Sequence, residues 1–514
     1  MVVGLVLEVL NSSIFHLFLV ACLLVLIYDW TFSSKLYPGF PAVGIDPRKG
    51  FLRGFEKARD DWYLHGKEIL DRGLKTCVGC FQVVTDAGPK IIMPNRFADE
   101  IRNHPDLNFC KAISKEFFGS YPGFKPFADG IESQIVLEVV RGRLTQSLNL
   151  ITEELADETS QAVKELFGKP DRWTEITYKP MLLQLVARVS ARVFVGPELC
   201  TNEDWLHITK EYTIEAFIAG RALRTWNPLL RPVVHWFLPE CRTLRWRQAE
   251  ARRIAMPIIE ERRKANRLAK EEGQPTLKTA DTIGWMDEAA RGRQYDVVNA
   301  QLSLSFAAIH TTSEMVTGLM SDLCANPENF ESLREEITSV LGGKGWTKQA
   351  LHNLKLMDSV MKESQRHHFG DIAAMYRIAE KALSLSDGTR IPEGAFTMVG
   401  IDRMHDLEVF NDPHSFNGSR FLDMRQQPGD ENRWQFVTTS PEHLAFGHGK
   451  HACPGRFFAS NEIKTVLIYL LMEYDWKFTY EGPSEDLQYG QELSTDPNAR
   501  VMIRKREVPI TLQL

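Results

Sequence analysis

The chain has 514 residues, enough for one large domain or for several ordinary ones. Its 44% apolar content, with 29 Phe and 11 Trp, excludes a disordered chain, and a formal net charge of -6 removes any general attraction for nucleic acid.

The first thirty residues are of another kind. The stretch SIFHLFLVACLLVLIYDW is apolar almost without interruption from Ile14 to Tyr28, and Val2 to Leu10 form a second apolar run before it. Helical continuation through Asn11 to Ser13 brings the segment to the roughly 20 residues that a membrane span needs. A cleaved signal peptide calls for a basic start and a small-x-small cleavage site, and neither stands here. Lys35, Arg48, Lys49 and Arg53 all follow the segment, which puts the remainder of the chain on the cytosolic side. Residues 1–30 are therefore expected to be a single-pass transmembrane anchor in membrane lipid, residues 31–44 a linker stiffened by Pro38 and Pro41, and residues 45–514 one globular domain.

Cys77 and Cys80 form a lone C-x-x-C with no second pair or nearby His to complete a zinc site. From Ile45 to Gly370 helix dominates, because apolar residues in LVARVSARVF and LHNLKLMDSVMKESQR recur at three and four. Cys241 to Lys270 carry a dense basic run, either a solvated helix face or a surface for an acidic partner. SFAAIHTTSEMVTGLM reads as a long central helix, with Ala307, Ala308, Thr311 and Thr312 forming a small, hydroxyl-bearing stretch. Thr hydroxyls in such a helix commonly bond back to its own carbonyls. In MKESQRHH, Glu363 and Arg366 stand three apart on one helix face and can pair, although such pairs are most often solvated. KIIMP, SLSDGTRIP and FTMVGI are short strand segments set off by Asp-Gly and Pro-Glu-Gly turns. Helix returns from Arg456 to about Met472, and alternation ends the chain, so the fold class is mostly α with a small β-sheet region.

The most informative stretch is HLAFGHGKHACPGRFFASNEIK. Pro454 favours the first helical position, which sets Cys453 at or next to a helix start, where the dipole and free N–H groups favour an anionic sulfur. Gly447 and Gly449 let the preceding loop turn sharply and approach a flat object closely. A single rigid thiolate serves either as a nucleophile, with His448 or His451 as its base, or as one axial metal ligand.

The pattern Phe446-Gly447-x-Gly449-x-His451-x-Cys453-x-Gly455 resembles the haem-binding loop of the cytochrome P-450 monooxygenases. The resemblance implies that Cys453 ligates iron, that Phe446 packs by the sulfur, and that His451 faces a haem propionate. Glu363 and Arg366 are similar to the family's E-x-x-R, with Arg420 in FNGSRF as the third, structural partner, although Gly418 stands where the family often has Pro. Arg377 matches the second propionate contact; Arg141 matches the arginine of the W-x-x-x-R helix, with Leu137 in place of Trp and Arg143 as a competitor. The Thr-bearing helix resembles the family's oxygen-binding helix, which makes Thr311 the residue that steers protons. His310 occupies the usual acidic position and is the other catalytic candidate, with Glu314 one turn on and the relay left unassigned.

Also implied are a single large haem domain of the family's fold, haem b, and electrons from NADPH through a separate reductase. The reaction implied is insertion of one oxygen atom from O2 into a lipophilic small molecule, such as a terpenoid or related fungal secondary metabolite, at the endoplasmic reticulum membrane. Phe109, Phe117, Phe118, Tyr121, Phe124 and Phe127 fall where the family caps its pocket, and Phe369, Ile372 and Ala373 where it lines it. A haem-thiolate isomerase or dehydratase, and a haem-binding sensor without turnover, remain as alternatives.

Overall fold

The computed structural model describes residues 13–32, 36–45, 51–276, 278–342, 345–480 and 482–506. The expected β-rich end beyond residue 506, the apolar run Val2–Leu10, and Lys35, Arg48 and Lys49 lie outside the described residues.

Helix α1 spans Ser13–Phe32, and α2 spans Phe51–Thr76. Leu17, Phe18, Leu19, Val20, Leu23 and Leu24 of α1 are exposed. Among the described residues no helix is long and apolar enough to cross a membrane, so the expected transmembrane span over residues 1–30 is not supported. Between these helices the chain from 36 to 45 is tied along a sheet edge. Gln82 accepts from the Tyr37 N–H at 2.8 Å and donates to the Tyr37 and Phe40 carbonyls at 2.9 and 2.7 Å.

Five strands make the main sheet: β1 (Phe81–Thr85), β2 (Gly88–Met93), β3 (Leu107–Asn108), and, much later in the chain, β5 (Ala373–Ala379) and β6 (Phe396–Gly400). Their spatial order is β1-β2-β6-β5-β3, antiparallel except for β2 with β6. Strand β4 (Thr174–Thr177) joins β7 (Tyr474–Phe478) and β10 (Arg500–Lys505) in a second sheet with β10 central, and β8 (Leu487–Tyr489) pairs with β9 (Glu492–Ser494) as a hairpin.

The helical body is built from α3 (Phe109–Glu116), α4 (Leu148–Phe167), α5 (Tyr178–Phe194), α6 (Glu203–Arg224), α7 (Pro239–Glu271), α8 (Val297–Ala325), α9 (Lys355–His367) and α10 (Arg456–Glu473). Asp296 starts α8 by accepting the N–H groups of Val298 and Asn299, at 3.1 and 3.0 Å. Buried around most of its circumference, α8 runs through the centre, packed against α5, α6, α9 and α10. The basic run on α7 is largely committed within the chain. Arg247, Arg252, Arg262 and Arg263 pair with Glu215, Asp296, Asp281 and Asp287, while Cys241, Leu244, Ala251, Ala255 and Ile259 line its buried face.

Candidate functional site

The loop before α10 is locked by its own backbone. Gly447 and Gly449 adopt φ of +64° and +74°, and the Cys453 N–H donates to the Phe446 carbonyl at 2.8 Å, closing the turn that presents the sulfur. A Cβ on Gly449 would run into the Arg102 carbonyl, whereas Gly455 has room for one, with Val140 3.9 Å away. Phe446 packs edge-on to Phe436, ring centroids 5.2 Å apart. Helix α10 begins at Arg456, where the sequence places it, with Gly455 as its cap and Pro454 just before it. The sulfur nonetheless meets the Gly455 and Arg456 N–H groups. Burial pushes the Cys453 thiol up, and these donors with the Arg456 charge pull it down without cancelling that rise. A thiol held this way ionises when a metal cation takes the sulfur. Arg456 also donates to the Cys453 and Val437 carbonyls, at 2.8 and 3.0 Å.

The loop histidines are placed away from a base's task. His448 has one ring nitrogen 3.0 Å from Asp99 and the other 3.2 Å from Thr439. Burial, reinforced by the Arg377 charge, pushes His451 down to about 4, and its Nε2 is buried with no hydrogen-bond partner.

Arg377 is the most telling side chain. It is 2% exposed, donates through Nη1 to the Tyr376 carbonyl at 2.7 Å, and has Nε and Nη2 buried without partners among the described residues. Burial drives its guanidinium down to about 10. The strand β5 is irregular between Ala374 and Arg377, and Met375 there sits at φ +52°. A guanidinium this deep without an acid is unfavourable, and an anion bound beside it would relieve it. The Phe109 ring adjoins both groups, 6.3 Å from the His451 ring and 5.8 Å from the Arg377 guanidinium. Arg141 donates to the Lys450 carbonyl in the cysteine loop at 2.9 Å, whereas Arg143 pairs with Glu288 at 3.3 Å, so only Arg141 of the two bonds to this loop. A thiol on a rigid loop beside unsatisfied N–H donors fits a flat metal complex bearing carboxylates.

Glu363, Arg366 and Arg420 are brought together elsewhere and are fully used. The Glu363 carboxylate accepts from Arg366 at 2.8 and 2.9 Å and from Arg420 at 2.9 Å, and the two arginines go on to the carbonyls of Met404, Asp412, Pro413 and Ser415. Burial alone would raise the Glu363 carboxyl, but its hydrogen bonds from Arg366 and His367 and the arginine charges hold it at about 2.

On α8, Ala307 and Thr311 lie one turn apart and are exposed, although the turns on either side are mostly buried. An exposed pair in the middle of a core helix marks an internal open face. The Thr311 hydroxyl donates to the Ala307 carbonyl at 2.8 Å. His310 points elsewhere, with Nε2 2.9 Å from the Lys210 carbonyl of α6. Glu314 is held by Lys179, Ser494 and Thr495. Phe306, next to Ala307 in the chain, joins Phe117, Phe127 and Phe217 in an aromatic cluster in which Phe117 and Phe127 stack at 4.6 Å and Phe127 meets Phe306 edge-on at 4.7 Å. Phe124 is fully buried in the core, and Phe118 is held at φ +53°. Sequence reasoning missed Phe217, Phe306 and Lys210. The first two carried only ordinary helical spacing, and the carbonyl of Lys210 carried no signal.

A family model described as cytochrome P-450 matches residues 134–503. The chain is 40% identical over 471 residues to cytochrome P-450 monooxygenase adrA of Penicillium rubens, covering 91% of this chain and 92% of that one. It is 42% identical over 435 residues to cytochrome P-450 monooxygenase 1 of Gibberella fujikuroi, covering 84% and 99%. With cytochrome P-450 monooxygenase easM of Aspergillus fumigatus the identity is 37% over 498 residues, covering 96% and 94%.

Proposed function

The chain belongs to the cytochrome P-450 family, and from that premise we propose that it oxidises a lipophilic secondary metabolite, a terpenoid or a related compound, at a haem b held by Cys453. Electrons come from NADPH through a separate reductase. The observation that carries the reading is Arg377: two buried, unpartnered N–H donors close to the unpartnered Nε2 of His451, both beside the cysteine loop. Arg377, His451 and Arg141 would hold the haem carboxylates, Cys453 would take the iron, and Phe446 would shield the sulfur.

Haem bound through a thiolate supplies dioxygen activation and transfer of one oxygen atom, the sulfur favouring O–O cleavage. The protein's own share is placement. Thr311 presents a hydroxyl from the open face of α8 and can turn from the Ala307 carbonyl to donate a proton toward that face. The aromatic cluster keeps water out and favours an apolar substrate.

The site of action proposed is the cytosolic face of the endoplasmic reticulum membrane. Trp226, Leu229, Leu230, Val233, Trp236 and Phe237 form a second exposed apolar group around a short helix, Arg231–Val234, and together with the exposed side chains of α1 they suit seating in a lipid surface. Replacing Trp226 and Trp236 by Ser should weaken co-sedimentation with liposomes; undiminished binding would contradict the seating.

The central test is Cys453→Ser. The purified variant is expected to lose the carbon monoxide difference band of the reduced protein and the consumption of oxygen with NADPH and reductase; an unchanged band would overturn the assignment.

A further inference from the structure

His310 and Glu314 stand one turn apart on one face of α8, while Ala307 and Thr311 share the face next to it, about 100° round the helix. The two faces have different partners. His310 Nε2 lies 2.9 Å from the main-chain carbonyl of Lys210 in α6, and the Lys210 ammonium in turn bonds to Gln184 of α5. One turn on, Glu314 pairs with Lys179 of α5 and accepts from Ser494 and Thr495. The Phe217 and Phe306 rings, from α6 and α8, approach to 6.1 Å in the same helix pair.

A proton shuttle must take a proton on one ring nitrogen and release it from the other. A peptide carbonyl only accepts, so His310 Nε2 must be the protonated nitrogen, and the Lys210 carbonyl on which it ends passes no proton on. Glu314, the next acid along the helix, has both oxygens committed to Lys179, Ser494 and Thr495. Burial also pushes the His310 imidazole below its ordinary value, against the pull of the Lys210 carbonyl and of Glu314.

We propose that His310 is a positioning residue: by donating to the Lys210 carbonyl it latches α6 onto α8 and so sets how closely α6, with Phe217, stands to Phe306 beside the Ala307 and Thr311 face. This rests on reading that face as the reaction face. Protons then reach Thr311 from the open side of the helix and not through its neighbour.

The test uses the haem-loaded full chain, each variant first checked for its carbon monoxide difference band, so that failure of the Cys453 assignment is recognised separately. Glutamine keeps a donor that can reach the carbonyl, alanine removes it, and aspartate restores the family's acid but offers the carbonyl no donor at neutral pH. In His310→Ala and His310→Asp, amide exchange across residues 203–224 should rise roughly fivefold, the loss of one ordinary hydrogen bond. The affinity for clotrimazole, read from its spectral shift, should weaken by a similar factor. His310→Gln should recover both. Oxygen uptake driven by NADPH and reductase should follow the same order, with glutamine above aspartate. If aspartate matches or exceeds the wild type in oxygen uptake while glutamine fails, His310 is a relay and the latch is wrong. For a variant that does not fold, 15N-labelled histidine in the wild-type protein gives the same decision: a neutral Nε2–H tautomer is expected at pH 7, and an Nδ1–H tautomer would overturn the latch.

Discussion

Two sets of buried nitrogen groups in this molecule look alike in composition and differ in what they lack. Around Glu363, the guanidinium groups of Arg366 and Arg420 end on a carboxylate or on carbonyls, and the carboxyl is held at about 2. Beside the cysteine loop, Arg377 is buried as deeply but keeps two N–H groups without acceptors, and His451 keeps a bare Nε2. A satisfied network holds the fold; donors left open at the same depth, beside a cysteine loop, mark a candidate binding site.

The comparison breaks or sharpens on four measurements. Arg366→Leu removes one of the two guanidinium partners of the buried Glu363 carboxylate and leaves it to Arg420, and is expected to lower the free energy of unfolding by roughly 3 kcal/mol, read by denaturant titration. The triad's contribution is present above the unfolded carboxyl value of about 4.3 and is lost as pH falls toward 2. Arg377→Leu should behave oppositely. It leaves the haem-free protein at least as stable while weakening haem retention by roughly 1.5–3 kcal/mol, measured as transfer of haem to apomyoglobin; equal damage to the haem-free protein would erase the distinction between the two sets.

Glu462 is an intermediate case, fully buried in α10, accepting only from the Ser190 hydroxyl at 2.6 Å and pushed up by burial to about 8. The folded chain keeps a proton that the unfolded chain has released, so stability falls as pH rises from about 4.3 toward 8. Glu462→Gln should remove that slope, its thermal midpoint exceeding the wild type's by more at pH 8 than at pH 5. The smallest effects belong to the surface. Arg143→Ala should change stability by less than about 0.5 kcal/mol, while Arg141→Ala, which frees the Lys450 carbonyl, should cost about 1 kcal/mol and speed haem loss.

Much of the site was legible because its signals are local. The spacing of Phe446, Gly447, Gly449 and Cys453 encodes a turn closed within the loop itself, and the i, i+3 spacing of Glu363 and Arg366 encodes their pairing. Where a reading depended on distant partners it stayed open or went astray. Arg141 and Arg143 could be separated only by which of them meets a carbonyl 309 residues away. The basic run of α7 gave no sign that its charges are matched by acids on neighbouring elements. Apolar composition over residues 1–30 suggested a span that no described helix fulfils.

By itself the sequence determined the mostly helical architecture and the loop that presents the sulfur, since those follow from residue type and short-range backbone geometry, and its motifs carried the resemblance that gave the family. Tertiary structure alone decided which buried donors lack partners, where His310 points, and which face of α8 stays open. Those depend on what packing leaves unfilled, and an unmet hydrogen bond exists only once every neighbour has been placed.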